Sequence, residues 1–462
     1  MTQGETFTTN KSKKKTRILS NETLGHIWLP CFPRFELCTM PIVVAHSRRV
    51  NMNMQSERAL SILRASDEGI NAWQEINNSA YRRQRIELAS KAEALPLLGV
   101  TFGIKDIIDV IGYRTGFGSA IYEQPDAAIN YSPSVDAAFV SLLKSKGALI
   151  LGKTVTTEFA TFKPSATANP AAKGRTPGGS SSGSAAAVAA GMVNIGVGTQ
   201  TAGSIIRPAS YCGVVGFKPS LGSFDLSGVK SLARSFDTIG WFSRTVQESR
   251  DLYAILKAQN EPETNMNPQS LRIGLCRSPF WDRGNETLAK AWSQLENLLA
   301  HQSSSVQVVE VNLPKEFHDA ENVHQTIFAK QAYEALHFEF TNYETYLSNQ
   351  ICKILKEGQE LSNKTYECAL SKMKNLRMLF DKLSSDFDAL ITPSSPGIPP
   401  RKEDGTGDPI FNRTWSLLGV PAVNVPGLSS DEGYPVGFQV IAGFRQDANA
   451  LLVAQWLEDR LA

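Results

Sequence analysis

From Ser56 onward the chain carries apolar residues in periodic runs, and each change of period marks an expected element. Leu60, Leu63, Ile70, Trp73 and Ile76 fall at near-helical spacing, and a charged amphipathic run follows until Pro96 ends it, so this stretch reads as helical. The apolar segment LLGVTFGIKDIIDV at 97–110 reads as a strand that breaks at Gly103 and presents Lys105 among Ile104, Ile107 and Ile108. Residues 132–147 predict a helix that Ser134 can cap, with Val135, Ala138, Phe139, Leu142 and Leu143 on one apolar face and Gly147 at its end. ALIL at 148–151 is then a buried strand. A helix is expected over 184–190, where strong helix formers follow a Gly/Ser opening, and a short buried strand over 193–197. Farther on, the pattern predicts helices at 286–301 and 367–385, a strand at 306–312 and a terminal amphipathic helix in QDANALLVAQWLEDRLA.

Residues 1–54 break with this pattern. They are Thr/Ser/Lys-rich, run through Pro30, Pro33 and Pro41 without sustained periodicity, and read as a mostly disordered extension before a folded domain at 55–462. The KSKKKTR run at 11–17 is either a solvated tail or an address signal.

Chemistry concentrates in the stretch from Thr176 to Ser210. Two clusters of Gly and Ser, GGSSSGS at 178–184 and TAGS at 201–204, flank the predicted helix and strand, so regular structure holds two hydroxyl-bearing turns. A glycine turn leaves backbone N–H groups uncovered, as an oxyanion site requires. A serine hydroxyl acting as a nucleophile also needs a base. None of the six histidines lies near these clusters in sequence, and there is no GxSxG elbow in a strand-to-helix context. A lysine can replace histidine if burial lowers its pKa, and Lys105 sits in an apolar segment upstream. An ordinary lysine, with pKa ~10.4, is almost wholly protonated at neutral pH, so such a site has to favour the neutral amine by several kcal/mol. Gly147 to Thr154 satisfies the GxxxxGK[ST] phosphate-loop expression, but here the residues between the glycines are the strand, with a helix before them, which is the wrong order for that loop.

GGSSSGSAAAVAAG followed by GTQTAGSIIRPASYCGVVGFKPS resembles the signature of the amidase signature family of serine hydrolases. The likeness runs from about residue 56 to 462, and the closing segments 388–400, 415–428 and 435–443 are similar to the family's last strands. The resemblance implies an α/β fold: a single large domain with a mixed, twisted central β-sheet covered by helices on both faces. It also implies a Ser, Ser, Lys triad in which Ser204 is the nucleophile, Ser180 the bridging serine beside a cis peptide bond, and Lys105 the base. Ser181 would support the lysine as a hydrogen-bond partner, and the backbone of Thr201, Ala202, Gly203 and Ser204 would hold the oxyanion. Gln200 and Ala202 depart from the family's GTDTGGS, and Arg207 follows two isoleucines, one position later than usual. The activity implied is hydrolysis of a small carboxamide through an acyl-enzyme. The alternative is a glutaminase-type subunit of a transamidating complex, and a non-catalytic binding protein is a third reading.

Composition narrows the partners. The formal net charge is +2, with +5 in residues 1–54 and −3 in the remainder, so the main body advertises neither nucleic acid nor an anionic membrane. Six scattered cysteines form no CxxC and no zinc-finger spacing, and no apolar run approaches eighteen residues, so a cytoplasmic protein is expected. The expected partner is a small-molecule amide. No metal or organic cofactor is called for, and a homodimer is compatible with the chain.

Overall fold

Runs rich in β-branched and aromatic residues supply the strands of one sheet: β1 (Trp73–Ile76), β2 (Thr101–Lys105), β3 (Leu149–Thr154), β4 (Ile195–Gln200), β5 (Val215–Lys218), β6 (Thr238–Ser243), β7 (Leu271–Leu275), β8 (Val306–Glu310), β9 (Ala389–Pro393), β10 (Ala422–Ser429) and β11 (Pro435–Ile441). The computed structural model describes residues 63–90, 95–123, 127–257, 270–300 and 306–462. The extension expected over 1–54 lies outside the described residues. The strand order is β1-β3-β2-β4-β6-β5-β10-β11-β9-β7-β8. β2 lies parallel to both β3 and β4, β7 lies parallel to β8 and β9, and antiparallel pairs join these two blocks, so the sheet is mixed as expected.

Both faces of the sheet are covered. Successive strand residues point to opposite sides, and neighbours on β6 belong to different apolar clusters. Trp241 packs against Phe217 and belongs to the cluster that holds Val246 and Leu457, whereas Phe242 belongs to the cluster that holds Ala185 to Val188 of the helix Ser182–Ala189. The described residues form one compact unit. Among them no helix is long and apolar enough to cross a membrane.

Several expected elements shift. The near-helical spacing of Ile70, Trp73 and Ile76 is a coincidence: the helix stops at 67, Gly69 and Asn71 take positive φ, and Trp73 to Ile76 pair antiparallel with β3. Gly103 does not break its strand. β2 runs through it with a register shift after Phe102, and a Cβ there would lie 2.8 Å from Thr154 Cγ2 and 3.1 Å from the Trp73 ring, so the glycine allows close packing of strands. The helix expected over 132–147 covers only Ala138–Ser145; Ser134 does not cap it and Val135 is exposed, while Gly147, at φ +94°, ends it as read. Helices Glu286–Leu299 and Asn363–Ser384 and the terminal helix Asp447–Leu461 lie where the periodicity placed them. Residues 152–154, the GKT of the phosphate-loop expression, lie inside β3, and Lys153 forms a buried ion pair with Asp106 at 2.6 Å.

Candidate active site

Parallel pairing of β2 with β4 places Ile104 opposite Val197, so the C-terminal ends of the two strands bring Lys105 beside Thr199. The carboxyl ends of parallel strands are where open α/β sheets form their sites. Lys105 is fully buried, with Ile104, Ile107 and Ile108 also inside the core. Its Nζ stands 2.7 Å from Ser180 Oγ and 2.9 Å from Thr199 Oγ1. Burial pushes the lysine well below its usual range, and the buried Asp237 carboxylate draws it partly back.

Ser180 precedes the helix Ser182–Ala189, and the Gly179–Ser180 peptide bond is cis, as the sequence resemblance implies. Arg207 Nη2 donates to Gly179 O at 2.7 Å, which fixes the backbone immediately before Ser180. Ser181 does not hydrogen-bond the lysine. Its Oγ donates to Thr199 O at 3.3 Å and lies 3.4 Å from Thr199 N. The second hydroxyl at the lysine is therefore that of Thr199, which the sequence pattern did not single out, and Ser181 acts one step removed by holding Thr199.

The TAGS loop connects β4 to the helix Ile206–Cys212, and its carbonyls are pinned one after another. His324 Nε2 meets Thr201 O at 3.0 Å, Ser416 Oγ donates to Ala202 O at 2.6 Å, and Arg207 N donates to Gly203 O at 3.0 Å. In a trans peptide the C=O and the following N–H point in opposite directions. Pinning these three oxygens thus turns the N–H groups of Ala202, Gly203 and Ser204 the other way. Among the described residues, none of the four N–H groups of Thr201 to Ser204 has a hydrogen-bond partner. Four adjacent free donors are the electrostatic requirement for holding an oxyanion. Gly203 is required for space: a Cβ there would lie 2.4 Å from Asn412 Oδ1 and 3.0 Å from Pro409 Cβ.

Ser204 is 8% exposed at the end of this loop, and among the described residues no hydrogen bond joins it to Ser180. The structure closes the Lys105–Ser180 contact and sets Ser204 within the loop of free amides.

Side chains remote in sequence brace the loop. Gln200 Oε1 accepts from Ile205 N and Ile206 N at 2.9 and 3.0 Å, while its Nε2 donates to Ser416 Oγ at 3.1 Å. A carboxylate at this position could accept the two amides but could not donate to Ser416, which gives the departure from the family's Asp a physical account. Thr201 Oγ1 donates to Asp237 Oδ1 at 2.6 Å, and the other oxygen of Asp237 takes Ser231 Oγ, Leu232 N and Ala233 N. Burial raises the Asp237 pKa against these hydrogen bonds. His324 is fully buried, stacks on Phe236 with centroids 4.4 Å apart, and is held down to about 3 by burial, with Arg413 as a second cause. A neutral ring donates from Nε2 to Thr201 O and accepts at Nδ1 from Arg413 Nη1 at 3.3 Å. Both ring nitrogens are thus engaged, and His324 positions the loop. Ser416, Asp237 and His324 had no local signal in the sequence, since each reaches the loop from 36 to 214 residues away.

Known proteins share this fold and are similar in sequence. The family model described as Amidase matches residues 57–451. The glutamyl-tRNA(Gln) amidotransferase subunit of Koribacter versatilis is 29% identical, the alignment covering 91% of this chain and 97% of that protein. The same-named protein of Haloarcula marismortui is 31% identical over 77% of this chain and 94% of its own length. Among solved structures, one described as a crystal structure of amidase superposes with a TM-score of 0.77 at 29% identity, over 88% of this chain and 95% of that one. The native peptide amidase from Stenotrophomonas maltophilia, at 24% identity and a TM-score of 0.72 over 88% and 92% of the two chains, shares the fold.

Proposed function

The chain belongs to the amidase family, the amidase signature hydrolases of carbon–nitrogen bonds, and on that premise we propose that it cleaves a carboxamide through Ser204, Ser180 and Lys105. The contact that carries the reading is Lys105 Nζ, fully buried, at 2.7 Å from Ser180 Oγ. A buried amine held below its usual pKa can accept a proton at neutral pH. Ser204 Oγ attacks the carbonyl carbon while its proton passes through Ser180 to neutral Lys105. The carbonyl oxygen, now an oxyanion, is received by the N–H groups of Thr201 to Ser204, each such donor contributing ~3 kcal/mol in comparable sites. The C–N bond breaks as the nitrogen takes a proton back from Lys105 by the same route, leaving an acyl ester on Ser204. Water then gives its proton along that path, attacks the ester, and releases the carboxylate with Ser204 re-protonated.

Two fates of the released nitrogen are compatible with this chemistry. A glutaminase-type subunit would pass ammonia to a partner, and the curated relatives named for amidotransferases, matched over nearly their whole length, favour that reading. A stand-alone amidase would release it to water, and the amidase structure at 29% identity supports this one. Ammonia release by the purified chain separates them. Turnover of simple aliphatic and aryl amides by the chain alone supports the stand-alone enzyme; turnover of L-glutamine that rises when the chain is returned to its co-purifying partners supports the other. No release from either under both conditions contradicts the amide-cleaving role itself.

A further inference from the structure

Beside the candidate site lies a cavity of about 820 Å³, walled in part by Phe162, Tyr211, Arg283, Thr406, Pro409 and Arg413. Its 406–413 wall is the segment that presses on the site. A Cβ on Gly179 would lie 3.1 Å from Thr406 Cγ2, and one on Gly203 would lie 3.0 Å from Pro409 Cβ. The segment that walls the cavity therefore packs close to both the Gly179–Ser180 turn and the loop of free amides.

The charges around this cavity are unevenly matched. Arg283 is paired with Asp408 and Glu321. Arg175 donates to Pro399 O at 3.0 Å and lies over the Tyr434 ring, and Glu403 faces Arg401. Asp408 is already shared between Arg283 and the Ile410 N–H. Arg413 differs. It is 7% exposed, and among the described residues no carboxylate lies within ion-pair distance, Asp408 and Glu321 acting on it only from farther off; Nη1 is spent on His324 Nδ1 and Nε is unpartnered. Behind the same wall, Arg207 is also buried, with Nε and Nη1 unpartnered, and its Nη2 reaches Thr406 Oγ1 at 3.4 Å. A buried guanidinium without a counter-ion is costly, and its Nε/Nη2 edge is the fork that binds a carboxylate through two parallel hydrogen bonds.

We propose that Arg413 binds a carboxylate of the substrate, so that this site takes amides carrying a carboxylate a few bonds from the scissile carbonyl. The inference rests on the amide-cleaving reading above and adds the substrate's charge to it. It makes Arg413 a specificity residue with two tasks: one nitrogen steadies His324 and through it Thr201 O, while the opposite edge receives the anion. Binding of the correct substrate and alignment of the oxyanion loop are then linked through a single side chain.

The test separates binding from turnover. Full-length protein with Ser204→Ala is titrated calorimetrically with the monoamides of succinic, glutaric and adipic acid, and with the unsubstituted alkyl amide of matching length. At least one monoamide should bind about tenfold or more tightly than its neutral match. Arg413→Gln in the same background should remove that preference, the monoamide losing at least about tenfold more affinity than its neutral match whatever both lose through His324, and Arg413→Lys should retain part of it. Equal affinity for charged and neutral probes, binding of neither, or a preference that survives Arg413→Gln would overturn the proposal. A purely structural Arg413 would weaken both probes together. Should Arg413→Gln fail to fold, the Ser204→Ala comparison and Arg413→Lys still decide. Wild-type turnover of the neutral amides is scored separately: its presence without any charge preference sinks this inference alone.

Discussion

Replacing Lys105 by Met probes the protonation state on which the proposed chemistry depends. In the unfolded chain a lysine keeps its proton up to pH ~10.4. In the folded chain burial pushes the Lys105 value well below that. Between the two values the unfolded chain holds one proton more, so wild-type stability climbs with pH by about 1.4 kcal/mol per unit. That contribution is complete above the unfolded value and is lost as pH falls toward the folded one. Methionine cannot titrate, so the variant should gain on the wild type as pH falls, by the same slope. The lost contacts to Ser180 and Thr199, ~1 kcal/mol each, lower the variant equally at every pH and leave the slope untouched. Equilibrium urea unfolding of both proteins at several pH values between 8 and 10 reads the difference. Amide turnover of the variant should meanwhile fall on the order of 10²–10⁴-fold, the range for removing a general base. Parallel stability curves would refute the reasoning, because a folded-state lysine that keeps its proton cannot accept another.

Thr199→Val removes the second hydroxyl at Lys105, and turnover should drop about tenfold, the worth of one buried hydrogen bond, with the pH–rate profile displaced and the melting temperature little changed. Gly203→Ala brings a Cβ to 2.4 Å from Asn412 Oδ1, so it should destabilise the fold by about 1–3 kcal/mol and depress kcat more than it alters KM, as steady-state kinetics with thermal unfolding would show.

The two Gly/Ser turns and the lysine were legible because the Gly/Ser clusters, and a lysine set among isoleucines, are themselves the local signal. Thr199 lies within that same stretch yet escaped notice, since its role depends on the pairing of β2 with β4, which no local pattern specifies. Ser181 was read as a partner of the lysine, but the hydroxyl next to Ser180 faces the Thr199 backbone once the helix is seated on β4. Trp73 was misread because three apolar residues at intervals of three satisfy a helix as readily as a turn through Gly69 and Asn71 that leads into a strand. The braces from Asp237, His324 and Ser416 arise when distant segments fold over one loop, and nothing near them in sequence announces it.

The central claim is that Ser204 is the nucleophile. Labelling the full chain with a fluorophosphonate and mapping the modified peptide by mass spectrometry measures it directly. The account predicts a single adduct on Ser204, absent from Ser204→Ala and slow to form in Lys105→Met. An adduct on Ser180 or Ser182, with turnover preserved in Ser204→Ala, would contradict it.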